Sequence, residues 1–275
     1  MPALSTTPAI HRTVVIDRRE AGPGIVVVGL NAPALARATH PGQFVMVVPP
    51  GGERAAVALG VYEASSERVS LMVATVGPRT AELVALRVGA SLDVLGPLGN
   101  GFDLDALGDD VAIVAGGVGL ASVLLVAQAL ASRGTRARLY YGARNAAALV
   151  DAELFAELTI PVALATDDGS SGYHGYVTDL LVAARPPSAI AACGPAPMLR
   201  SVARIAAERN IPAQLSLEEA FACGVGACWG CAVGIDRASR QAPAFPEPAP
   251  GEARAYVHAR ICKEGPVFWA HELRW

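Results

Sequence analysis

Val111-Ala112-Ile113-Val114-Ala115-Gly116-Gly117-Val118-Gly119-Leu120-Ala121-Ser122-Val123-Leu124-Leu125-Val126-Ala127-Gln128-Ala129-Leu130-Ala131 can be read as a membrane span or as soluble core. Only Ser122 and Gln128 interrupt its apolar character, and about 20 apolar residues suffice to cross a bilayer. The glycines at 116, 117 and 119 oppose that reading. They stand where a strand would turn into a helix, and a buried strand, a glycine turn and a core-facing helix explain the same residues without lipid. No membrane partner is expected.

A glycine turn at the carboxyl end of a parallel strand has a chemical use. Bare N–H groups at the start of the following helix can cradle a pyrophosphate, and ligands in such sheets bind outside the strands' carboxyl ends. Gly116-Gly117-Val118-Gly119 is not the full G-x-G-x-x-G pattern, and such turns also serve packing alone. Cys193-Gly194-Pro195-Ala196-Pro197-Met198 follows another expected strand at the same edge and strengthens the ligand reading.

Downstream the pattern alternates. Strands are expected at 111–115 within the apolar run and at 137–141, 162–165, 189–193 and 214–217, and helices at 121–131, 152–158, 177–184 and 197–209. Alternation of this kind predicts a doubly wound parallel sheet with helices on both faces. Upstream, short β-rich runs at 13–16, 25–30, 44–48, 56–62, 69–76 and 91–94 are punctuated by Gly and Pro, which predicts an antiparallel β-barrel or sandwich. A short helix is expected at 80–86, and Gly96–Phe102 closes this part as a glycine-rich loop. At 275 residues the chain is long enough for roughly two domains, at ~150 residues each.

Beyond the last parallel strand, Glu218–Cys231 carries Cys223, Cys228 and Cys231 with glycines between them, and Cys262 follows. The spacing Cys-x4-Cys-x2-Cys…Cys is that of plant-type [2Fe–2S] ligation. A loop that curls around a cluster must turn thiolates and N–H groups inward, and Gly224, Gly226 and Gly230 allow it. Structural zinc is the weaker alternative, because zinc modules usually show paired Cys-x2-Cys knuckles and this chain has one. Disulfides are disfavoured by the chain's size and by the lack of a secretory signal peptide, so a reducing compartment, the cytoplasm, is expected. Hydrophobic residues make up 52%, charged residues 17%, and the net charge is −3. That balance gives no reason to expect nucleic acid as a partner. No hydrolase triad, metal-hydrolase motif or paired-carboxylate signature stands out.

The barrel, the Gly-Gly-Val-Gly turn and the Cys-Gly-Pro-x-Pro-Met segment together resemble the ferredoxin–NADP reductase superfamily. Gly96–Phe102, Thr166-Asp167-Asp168-Gly169-Ser170 with the segment from Gly172 to Thr178, Cys223–Cys231 and Ile261–Phe268 narrow this. Over nearly the whole chain, the sequence is similar to the electron-transfer subunit of NAD-dependent dihydroorotate dehydrogenase. In that family electrons pass between NADH, an FAD on the barrel and a [2Fe–2S] cluster, which exchanges them with FMN in a separate catalytic subunit.

The resemblance implies a flavin-binding barrel over 1–103, an NAD-binding α/β domain over 104–217 and a cluster module over 218–275. It places Gly116, Gly117 and Gly119 by the nicotinamide nucleotide's phosphates, and Cys193 (in the catalytic position) and Gly194 at the flavin–nicotinamide contact. Gly77, Pro78, Arg79 and Thr80 fall by the flavin's pyrophosphate, and Cys223, Cys228, Cys231 and Cys262 at the cluster. Cys193 can equally be a small buried residue at a strand end. Asp167 and Asp168 are nucleotide contacts or ordinary turn residues ahead of Gly169. Trp229, between two ligands, anchors a partner or shields the cluster.

The implied partner is an FMN-containing catalytic subunit in a hetero-oligomer. A subunit of a different oxidoreductase, or a scaffold that has lost its flavin, are the other readings. Two departures bear on them. Arg237–Ala253 looks inserted. Where the family carries Arg-Pro-x-Ser for the flavin, this chain reads Val57-Ala58-Leu59-Gly60, and Ala74 replaces a second flavin-contacting arginine. Arg54 or Arg79 is the expected compensation.

Overall fold

The computed structural model describes residues 7–50, 56–239, 241–243 and 256–275. Six strands come first: β1 (Ala9–Gly22), β2 (Ile25–Asn31), β3 (Phe44–Val48), β4 (Val57–Ala64), β5 (Arg68–Ala74) and β6 (Ser91–Leu98). They close into an antiparallel barrel in the order β1-β2-β5-β4-β3-β6, as their spacing predicts. Val15, Leu30, Val45, Val61, Leu71 and Val94 fill it. Helix α1 (Pro33–Ala38), which sequence reasoning does not find, packs Leu35 and Ala36 onto that core; α2 (Pro78–Val84) adds Leu83.

β1 is far longer than the four residues expected at 13–16. Its first half pairs with β6 and its second with β2, with a register shift between Val15 and Asp17. One bent strand thus closes the barrel, a common use of bulges. Its outward residues, among them Arg12, Asp17 and Arg19, hide it from an apolar-run search.

The nucleotide-domain elements are β7 (Asp110–Gly116), α3 (Leu120–Ser132), β8 (Arg136–Ala143), α4 (Glu153–Glu157), β9 (Val162–Thr166), β10 (Tyr173–His174), α5 (Val177–Ala183), β11 (Ala189–Cys193), α6 (Ala196–Glu208) and β12 (Ala213–Ser216). The tail adds β13 (Ala232–Asp236), β14 (Tyr256–Arg260), β15 (Val267–Trp269) and β16 (Leu273–Arg274). The seven-stranded sheet runs β10-β9-β8-β7-β11-β12-β15. All its pairs are parallel except β12 with β15. The expected parallel sheet is therefore corrected at one edge: β15 covers the N–H and C=O row that β12 would otherwise expose. Residues 218–275 consequently share a sheet with 104–217, while β14-β13-β16 form a sheet of their own.

Every residue of β7 is buried, and α3 buries eight of its thirteen residues. No helix among the described residues is long and apolar enough to cross a membrane. The 111–131 run is a strand, a glycine turn and a helix.

The barrel and the nucleotide domain are clasped by a buried ionic group. Asp151, its side chain 5% exposed, accepts two hydrogen bonds from Arg19 of β1, at 2.8 and 2.5 Å, and one from the wholly buried Tyr62 hydroxyl of β4, at 2.5 Å. Burial, then the carboxylate, push the Tyr62 hydroxyl's pKa far above its ordinary value.

Candidate functional site

Strand order reverses between β7 and β11, so a crevice opens beyond their carboxyl ends, the usual ligand position in an open α/β sheet. Both glycine segments lie there. A Cβ on Gly194, whose φ is 157°, would stand 2.9 Å from the Gly116 nitrogen. One on Gly119 would stand 2.5 Å from the Cys193 carbonyl oxygen, and one on Gly116 would stand 2.8 Å from both Met198 Sδ and Pro195 Cδ. Close backbone packing therefore accounts for Gly116, Gly119 and Gly194. Gly117 differs: its φ is 53°, and nothing lies within 4 Å of a Cβ placed there. A side chain there would enter open space, so close packing does not account for this glycine.

Cys193 is wholly buried, with its Sγ 3.6 Å from Glu218 Oε1. Burial first, then the Glu218 carboxylate, raise its pKa well above the ordinary thiol value, against lesser opposing help from the Ser122 and Ser216 hydroxyls. The thiol is held protonated. Glu218 as a residue remains exposed, yet burial around its carboxyl raises that group's pKa, against a lowering by the Cys193 thiol. The folded chain binds that proton more tightly than the unfolded chain. This group's contribution is therefore favourable at low pH and fades as pH climbs from the ordinary carboxyl range through the raised folded value.

Ser122 explains the glycine that departs from the expected pattern. A Cβ on Gly60 would lie 2.9 Å from Ser122 Oγ, so α3 occupies the space a serine at 60 would need. Sequence reasoning missed Ser122, Ser216 and Glu218. Ser122 left a signal, as one of two polar residues in the apolar run; the others become significant only when β11, β12 and α3 meet.

At the 77–80 turn the Thr80 hydroxyl accepts from the Val76 and Gly77 N–H groups, at 3.0 and 3.1 Å, and donates to the Gly77 carbonyl at 3.0 Å. It is occupied by its own turn. Arg79 donates to the Ala56 carbonyl at 3.2 Å, beside the start of β4, and Gly77 has open space around it. Ala74 ends β5. Arg54 lies outside the described residues.

The cysteine loop rests on the barrel, where a Cβ on Gly224 would meet Met46 at 2.5 Å. Gly224, Gly226 and Trp229 all have positive φ, at 68°, 80° and 59°. This tight curl turns N–H groups onto sulfur: Ala227 donates to Cys223 Sγ at 3.3 Å, Gly230 to Cys228 Sγ at 3.5 Å and Cys262 to Cys231 Sγ at 3.5 Å. Such bonds, led by the Cys228 N–H, lower the Cys223 thiol to about 6. Burial, followed by the neighbouring Cys231 thiol, raises Cys262 to about 12. Cys223 thus neighbours Cys228, and Cys231 neighbours Cys262. Among the described residues no group of three or more His, Cys, Asp or Glu stands in a metal-holding arrangement. All five cysteines are free thiols.

Arg260 braces this loop. Its guanidinium lies 4.5 Å over the Trp229 ring, donates to the Gly226 carbonyl at 2.7 Å and forks onto Glu264 at 3.0 and 2.5 Å. Trp229 is 41% exposed, one face covered by the arginine. The start of the expected insertion ties back to the tail through Ser239 to Glu272, at 2.9 Å, and Gln241 to the Glu264 and Val267 carbonyls, both at 2.8 Å. Arg240 and residues 244–253 lie outside the described residues. Asp168 caps its own turn at Ser170, as an ordinary turn residue does; Asp167 donates its N–H to the Ala143 carbonyl.

Residues 113–204 match the family model of the oxidoreductase NAD-binding domain. The chain is 32% identical over 262 residues to the "Dihydroorotate dehydrogenase B (NAD(+)), electron transfer subunit" of Desulforamulus reducens, covering 92% of this chain and 94% of that protein. It is 40% identical over 202 residues to the protein of the same name from Bacillus caldolyticus, covering 72% and 70% respectively. Among solved structures, an NADH-dependent reduced ferredoxin–NADP oxidoreductase studied for flavin-based electron bifurcation matches with a TM-score of 0.80 and 26% identity, over 96% of this chain and 90% of that one. A ferredoxin reductase of carbazole 1,9a-dioxygenase shares the fold, with a TM-score of 0.65 and 20% identity over 75% and 68%.

Proposed function

The chain belongs to the family of electron transfer subunits of NAD(+)-dependent dihydroorotate dehydrogenase B, and from that premise we propose that it relays electrons between NAD(H) and a separate catalytic subunit through FAD and a [2Fe–2S] cluster. One observation supports the relay most directly. Glu218, against Cys193 at the switch point, is separated from Cys223 by four residues. Even fully extended, that stretch spans no more than about 18 Å. The nicotinamide edge and the cysteine loop are therefore neighbours by covalent constraint.

The residue types suit the groups assigned to them, although among the described residues no three of the cysteines stand together in a metal-holding arrangement. The Gly117 peptide, at the start of α3, takes the nucleotide's pyrophosphate, while Gly116, Gly119 and Gly194 let β7 and β11 approach closely enough to shape the crevice. Cys193 stays a neutral thiol at the nicotinamide contact, with Ser122 supplying the hydroxyl that Gly60 lacks. Gly77, Pro78 and Arg79 face the flavin's pyrophosphate, with Thr80 stiffening their turn. Cys223, Cys228, Cys231 and Cys262 hold the cluster, and their N–H donors suit thiolates bound to iron. When bound, the flavin would supply the exchange between two-electron and one-electron chemistry, and the cluster would supply single-electron transfer. Residues 1–103, 104–217 and 218–275 carry flavin, nicotinamide nucleotide and cluster respectively. The catalytic partner is an FMN-containing dihydroorotate dehydrogenase subunit of pyrimidine biosynthesis, and free thiols suit the reducing cytoplasm.

Anaerobic NADH added to the purified, cofactor-loaded chain should bleach flavin and cluster absorbance together, and the catalytic subunit should copurify when coexpressed. Oxidation of dihydroorotate by this chain alone would defeat the assignment. Cys193→Ala should slow flavin reduction by NADH about fivefold, the worth of ~1 kcal/mol, with NADH affinity retained; stopped-flow absorbance checks it.

FAD should bind more weakly than in relatives that keep both arginines. Val57 and Ala74 remove charge, and each charge-assisted bond to phosphate is worth ~1.5–3 kcal/mol, so two losses weaken binding by about two to four powers of ten. Dialysis without added FAD should leave the flavin substoichiometric. No binding at saturating FAD favours the second reading, a cluster-bearing subunit without flavin, which the self-satisfied Thr80 hydroxyl supports.

A further inference from the structure

At the edge of the seven-stranded sheet opposite the glycine turns, a groove of about 460 Å³ opens between the α3–β8 turn, the start of β8 and the α4–β9 loop. Its volume lies in the range of small-molecule sites. Arg136, Arg138 and Arg185 line it, with Thr135 and Thr159 beside them. Arg136 and Arg138 are two apart on β8, so their side chains leave the same face of the strand.

One carboxylate serves two of the three cations. Asp110, its side chain 9% exposed, accepts from Arg138 Nη2 at 3.2 and 3.3 Å and from Arg185 Nη2 at 2.7 Å. The adjacent Asp109 accepts from the Ser188 hydroxyl instead, at 3.0 Å. Arg136 makes no ion pair among the described residues, and Arg138 Nε is buried without a hydrogen-bond partner. Among the residues lining the groove, three guanidinium groups stand to one carboxylate, a local surplus of positive charge on a chain whose net charge is −3. Asp110 also fixes two of the arginines before any ligand arrives, which lowers the ordering cost of binding.

The geometry points to a binding site for a small multivalent anion, carrying phosphate or carboxylate groups, at the base of the nucleotide domain and separate from the nicotinamide edge. Guanidinium forks match both groups bidentately, and Thr135 and Thr159 add hydroxyls at the rim.

The test is calorimetric titration of inorganic pyrophosphate into the full chain with its cofactors bound and NAD(+) saturating, so that the nucleotide site is closed to the probe. Saturable one-site binding that weakens with added salt is expected. Arg136→Gln should weaken it about tenfold or more, the value of one charge-assisted contact, while NADH-dependent flavin reduction stays at the wild-type rate. Arg185→Gln provides a second variant on another element, and citrate a second arm; the tighter probe assigns phosphate or carboxylate. Absence of saturable binding up to millimolar pyrophosphate and citrate overturns the site, as does equal affinity in wild type and both variants.

Discussion

Replacing Arg19 by alanine is expected to destabilise the chain by about 3–5 kcal/mol, the usual cost of leaving a buried charge without its partner. The Asp151 carboxylate would keep only the Tyr62 hydroxyl in a pocket that hides nearly all of it. Tyr62→Phe should cost less, ~1 kcal/mol, because the ion pair survives it. Urea unfolding at neutral pH compares the two. Arg19→Met keeps most of the apolar stem and removes the charge, which separates the two contributions. A deficit close to that of Arg19→Ala assigns the loss to the ion pair, and one near zero would mean that Arg19 acts through its methylene stem.

The second large effect is at the cysteine loop. Cys228→Ser should leave the purified chain without its cluster, because thiolate is the iron ligand and the remaining three cannot complete the set. Iron and acid-labile sulfide should fall to background in Cys223→Ser, Cys228→Ser, Cys231→Ser and Cys262→Ser, and stay at the wild-type level in Cys193→Ser. Visible circular dichroism of the wild-type chain should show the cluster that the four variants lose. Equal iron in wild type and Cys228→Ser would remove the ligand assignment, and loss in Cys193→Ser would extend it to a residue that Glu218 engages instead.

Elements with strong local patterns were legible from the chain. β7 and α3 fall within a residue or so of their expected bounds because Gly116–Gly119 breaks one apolar run into two pieces. β3 and β11 are short and wholly apolar, and β2 is apolar up to its final Asn31, so their limits were plain. β1 was not, because half of it lies on the barrel's outside and carries Arg and Asp. β13, β14, β15 and β16 have two to five residues each, and their pairing joins segments that sequence separates by twenty residues or more. The candidate site divides the same way. Cysteine spacing is local and could be read. The Ser122 hydroxyl takes its meaning from Gly60, on another domain, and Glu218 from Cys193. Thr80 looked free to reach a ligand, but its own turn absorbs the hydroxyl.

The placement of β15 bears on how the protein is made. At ~5–20 residues per second, a ribosome delivers the barrel and six strands of the main sheet before Val267–Trp269 exists. During that interval β12 presents a bare edge, the kind that recruits other chains. Cys262 and the Asn100-bound tail, held through the Glu264 and Val267 carbonyls, emerge at nearly the same moment. On the proposed assignment of the four cysteines, iron capture would share with closure of the sheet the last stage of biogenesis. Starving cells of iron should therefore raise the fraction of newly made chain found in inclusion bodies, even though every residue of the barrel and nucleotide domain has already been translated.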